Sequence, residues 1–192
     1  MTNPVPEPVD DMTAMQTAHT LLHQPGYRAL SAVQQRMVMA SYTLRSLRLV
    51  ELFDRRYDQR LAGLFCRGLS VYIAGLVHEY STWHAEIEAH IPDTDEFGEQ
   101  EAAYAQNAFI ALFYLMEAAP DNDPAPLERS IEMTLQNVDL LYYERNPDYR
   151  QVTLDAAERQ VFDSLLAKTA ATDSAVPVTF ESISALASAH RL

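Results

Sequence analysis

Leu30, Val33, Met37, Ala40, Leu44 and Leu47 are apolar at steps of three and four. That rhythm puts them on one face of a helix, whereas a strand would need a repeat of two. It recurs in Leu61, Leu64, Phe65, Leu69, Tyr72, Ile73 and Leu76, and again in Leu127, Ile131, Leu135, Val138 and Leu141. A broader apolar surface comes from Ala105, Ala108, Phe109, Leu112, Leu115 and Met116. Only residues 176–180 alternate as a strand would, and Pro177 demotes them. The expectation is an all-α fold, a single compact bundle of about six to eight helices.

Punctuation sets the expected boundaries. Pro25-Gly26 stops a first helix over Asp11–Gln24. Ser31 and Gln34 have capping-box spacing at the next start. That pattern continues through Leu49, Leu52 and Phe53, so it is either one long helix or two broken near Ser46. A helix over Gln59–Leu76 contains Gly68 and Gly75, both suited to close approach of a neighbouring helix, with a helix end as the alternative role for Gly75. A shorter helix over His78–His90 is closed by Ile91-Pro92. Pro126 is expected at a first helical position, and Asn146-Pro147 closes that helix. Thr153 and Thr179 are expected N-caps for the last two helices. Residues 1–10, with Pro4, Pro6 and Pro8, read as a flexible Pro-rich tail, leaving 11–192 as a single helical domain.

The start of the chain has neither a basic region nor an apolar core, so it does not read as a signal peptide. No apolar run approaches the roughly 18 residues of a membrane span. A cytoplasmic protein without membrane contact is therefore expected. Cys66 is the only cysteine, which excludes an intrachain disulfide or a cysteine-based zinc site. Its apolar neighbours point to a buried, inert thiol.

Charge is unevenly placed. The formal net charge is −13. Arg28 to Arg67 holds eight arginines against three acids, whereas Gly68 to Glu128 holds twelve acids and no lysine or arginine. Such a surface repels nucleic acid and anionic lipid and attracts a basic protein. The densest stretch has Asp93, Asp95, Glu96, Glu99 and Glu101 at the start of a helix, where carboxylates also complement the helix dipole. Trp83 is the candidate aromatic anchor beside them. The spacing in this turn is not that of an EF-hand calcium loop.

Catalytic signatures are missing. The chain has no Gly-rich phosphate loop, no G-x-S-x-G elbow, no H-E-x-x-H and no paired Glu-x-x-His. His19 and His23 are four apart and could share a metal, but no carboxylate triplet lies near them in sequence, so neither metal nor cofactor is expected. Tyr142, Tyr143 and Tyr149 form an aromatic helix end suited to packing or to an interface.

Three segments carry a family resemblance: "SAVQQRMVMASYTLRSLRLVELFDRRY", "IPDTDEFGEQEAAYAQNAFIALFYLMEA" and "LERSIEMTLQNVDLLYYE". Together they resemble the YjaG-like group of uncharacterised bacterial helical proteins, a domain of unknown function. The resemblance implies an all-helical bundle and transfers no catalytic residue.

The favoured expectation is a non-enzymatic protein-binding module with an acidic surface, an immunity-type or adaptor protein for a basic bacterial protein. The alternative is a helical enzyme or metal-binding protein whose pocket uses His78, His84, Glu79 and Glu88. Alanine- and glycine-bearing helix faces would also suit a homodimer.

Overall fold

The computed structural model describes residues 14–146, 148–172 and 177–192, without the side chains of residues 151 and 152. The expected tail at residues 1–10, and the first residues of the expected opening helix, lie outside these. Among the described residues all regular structure is helical. In chain order the helices are α1 (Ala14–His23), α2 (Pro25–Arg28), α3 (Ala32–Leu44), α4 (Leu47–Tyr57), α5 (Leu61–Ala74), α6 (Tyr80–Glu88), α7 (Gln100–Ala118), α8 (Pro124–Arg145), α9 (Gln151–Ala170) and α10 (Phe180–Ala187). Short 3-10 turns at Val77–Glu79 and Ser188–His190 complete them. The all-α bundle is as expected. Among the described residues Pro25–Arg28 forms a turn of its own, and the chain breaks between Leu44 and Leu47, the second of the two expected alternatives.

Helix ends follow local chemistry. Ser31 and Gln34 form the reciprocal capping box of α3. Thr179 caps α10, with Ser182 returning the bond. Gly75 ends α5 in the left-handed region at φ 67°. The start of α5 has no cap of its own, since Arg60 offers no acceptor there. Asp54 of α4 supplies it, accepting 2.8 Å bonds from the amides of Leu61 and Ala62. Two expected starts are corrected. α8 begins at Pro124, capped by Asp123, and Pro126 is already buried in the first turn. α9 begins at Gln151, so Thr153 lies inside the helix; its hydroxyl caps nothing, because the chain turns helical two residues earlier.

The α7–α8 hairpin is the spine. Ala102, Ala105, Ala108 and Ala111 are fully buried, so the small-residue face of α7 is occupied within the chain. Side-chain amides join the two helices, half-buried Asn107 and buried Asn137: Asn107 Nδ2 donates to Asn137 Oδ1 at 3.1 Å, and Asn137 Nδ2 donates to the Tyr104 carbonyl at 3.0 Å. α4 and α6 pack on α7, α1 packs on α8, and α3 lies among α5, α8, α9 and α10. The main core includes Phe65 against Phe109, with ring centroids 5.8 Å apart, and Phe162 against Tyr42 at 5.6 Å. The striped positions Leu127, Ile131, Leu135, Val138 and Leu141 are all buried. No described helix is long and apolar enough to cross a membrane.

Candidate functional site

The acidic stretch between α6 and α7 is a built turn. Asp93 Oδ1 accepts from the Asp95 amide at 2.9 Å, and the Asp93 carbonyl accepts from Glu96 and Phe97 at 3.1 and 3.0 Å. Gln106 Nε2 on α7 donates to the Pro92 carbonyl at 2.9 Å. Phe97 turns inward and packs edge-on against Phe53 and Tyr57 of α4, with centroids 5.1 and 4.8 Å away. The Glu99 amide donates to the Tyr57 hydroxyl at 3.2 Å. One aromatic side chain therefore anchors a turn whose carboxylates point to water.

The five candidate acids divide into two groups. Asp93, Asp95 and Glu96 are exposed, and among the described residues no arginine or lysine lies within ion-pair distance of them. Glu99 reaches Arg56 at 3.2 Å, with both side chains more than half exposed. Glu99 and Glu101 line a cleft of about 410 Å³ that also holds Arg48, Tyr104, Glu144 and Arg145. Tyr104 donates to Glu144 at 2.7 Å there. Trp83 is half-buried on α6 against the core, and its indole N–H donates to Glu79 at 3.3 Å.

The residues of the alternative pocket, His78, His84, Glu79 and Glu88, line neither of the two large clefts among the described residues. His78 is exposed and lies 3.6 Å from its neighbour Glu79. His84 packs against Phe113 in a tilted contact with centroids 4.0 Å apart, and Glu88 is exposed. Tyr142 packs on Tyr149 at 6.0 Å, while Tyr143 is 74% exposed.

Sequence reasoning missed a second cleft, of about 510 Å³, between the C-terminal end of α8, the middle of α9 and the C-terminal turn. Arg45, Arg145, Asn146, Glu158, His190 and Arg191 are among its walls. At its base Arg45 makes paired bonds to both oxygens of Glu158, and Tyr42 donates to the same carboxylate at 2.7 Å. Arg45 Nε donates to the His190 carbonyl at 2.8 Å. Burial alone would lower the Arg45 pKa, but its bonds and attraction to Glu158 outweigh this and raise it. Burial raises the Tyr42 pKa well above its ordinary value, with the Glu158 charge adding to it. His190 is pushed down, by burial first and then by the charges of Arg45 and Lys168. The two clefts share Leu141, Arg145 and Leu192 and so adjoin.

No protein-family model matches the chain, and no curated protein or solved structure matches it significantly.

Proposed function

We propose that this chain is a non-enzymatic protein-binding module, of the adaptor or immunity type, that presents the α6–α7 turn to a basic protein. The carrying observation is that Asp93, Asp95 and Glu96 stand exposed, with no ion-pair partner among the described residues, on a turn pinned by Phe97. A pinned turn loses little freedom when a partner engages it. Its charge raises the encounter rate with a cationic surface and disfavours anionic ones. Trp83, on the helix leading into the turn, is the aromatic contact of this reading.

The test is capture of partners from cell extract by the wild-type chain and by D93N/D95N/E96Q, followed by association kinetics with the captured protein. A basic partner is expected, whose association slows by about tenfold or more in the variant and as salt rises. Association indifferent to both charge and salt overturns the reading.

A further inference from the structure

We propose that His19, His23 and Glu128 form a binding site for a divalent transition-metal ion of the zinc class, separate from the α6–α7 turn. His19 and His23 are one turn apart on α1, so their rings share a face and stack with centroids 3.9 Å apart. α1 packs against α8, whose first turns bring Glu128 to the same spot from across the sequence. Glu128 Oε1 lies 2.8 Å from His19 Nδ1 and 3.6 Å from His23 Nδ1. One ligand atom from each residue lies within 4.8 Å of the other two.

These separations suit an ion. Ligand atoms about 2.0–2.1 Å from a tetrahedral zinc sit roughly 3.3 Å from one another. For a cation to enter, the 2.8 Å contact between His19 and Glu128 has to open slightly and the two stacked rings have to splay until their in-plane lone pairs converge on it. His23 Nδ1 also lies 3.0 Å from the His19 carbonyl, which only accepts. For the ion to bind His23 through Nδ1, the ring has to release that carbonyl and give up its Nδ1 proton, so zinc uptake competes with protons.

The donor set selects the class of ion. Two imidazole nitrogens and one carboxylate oxygen fit zinc, cobalt or nickel, while calcium and magnesium prefer all-oxygen shells. Side-chain exposures of 59%, 33% and 23% for His19, His23 and Glu128 leave an entry path and room for a water as fourth ligand. Bound metal would clip α1 to α8.

Zinc titration of the untagged, metal-free full chain by calorimetry tests the site, with cobalt absorption reporting its geometry. One equivalent is expected, unaffected by excess magnesium. H19A, H23A and E128Q should each weaken it at least tenfold, and H90A not at all. A second readout needs no variant: zinc should protect His19 and His23, but not His78 or His90, from histidine-directed acylation mapped by mass spectrometry. No saturable binding, or binding and protection indifferent to these three residues, overturns the proposal.

Discussion

Arg45 meets Glu158 through both guanidinium ends and both carboxylate oxygens, 113 residues apart in the chain, and each side chain is only 3% exposed. The pair ties α9 to the break between α3 and α4, and through the His190 carbonyl it also holds the C-terminal turn. A buried pair of this kind need not add net stability, but leaving one charge without the other is costly.

Either R45M or E158L alone should therefore lower the unfolding free energy by about 3–5 kcal/mol. The double variant R45M/E158L removes both charges and should recover most of that loss. Denaturant unfolding of the four proteins gives the coupling directly. Near-additive single and double variants would show that the charges do not depend on each other.

Neighbouring glycines should respond in opposite directions. Gly63 lies in the first turn of α5, and a Cβ there would meet nothing within 4 Å. G63A should stabilise the protein by up to about 1 kcal/mol, through helix propensity alone. At Gly68 a Cβ would lie 2.9 Å from Leu112 Cδ2 and 3.2 Å from Ile87 Cδ1, both on fully buried side chains. Repacking them should outweigh the propensity gain, so G68A should destabilise by about 1–3 kcal/mol. Urea midpoints of the two variants decide the signs.

These glycines also show what the sequence could reveal. Gly68 and Gly75 were readable because a glycine inside an apolar stripe needs a local reason, and close approach and a left-handed helix end are the ones found. The Ser31 and Thr179 caps were readable because their partners lie three residues away. Pro124 and Pro126 both satisfy the rule for a first helical turn, so local chemistry could not choose between them; Asp123 did. Asp54 capping α5, Glu158 facing Arg45 and Glu128 facing His19 are contacts between separate helices. No periodicity in one helix records which residue of another it will meet. The acidic turn was legible as a charge cluster, but not that Glu99 and Glu101 face a cleft shared with Arg48 and Arg145.

His190 makes stability depend on pH. Its ring lies 3.2 Å from the Ser164 hydroxyl, and burial with the Arg45 and Lys168 charges holds its pKa below the ordinary value. The unfolded chain, with histidine near 6.5, therefore takes up this proton first as pH falls. The contribution is complete above about pH 6.5 and is lost as pH falls from there through the folded-state value. Between about pH 7.5 and 5.5 the wild type should lose more stability than H190Q, as measured by unfolding midpoints. Equal losses would show that the ring titrates alike in both states.

Cys66 should be a slow thiol. It is half-buried on α5, and burial first, then the Glu51 charge, raises its pKa above the ordinary value. The thiolate is the reactive species, so a raised pKa reduces its fraction at mildly alkaline pH. At about pH 8 the folded chain should react with an aromatic disulfide reagent much more slowly than a free thiol does. In denaturant, burial and the fixed Glu51 charge both disappear, and the rate should rise to that of a free thiol. E51Q removes only the smaller cause, so it should speed the folded reaction slightly and leave the denatured rate unchanged. A folded rate matching the denatured one would show that the half-buried sulfur is solvated as freely as in the unfolded chain.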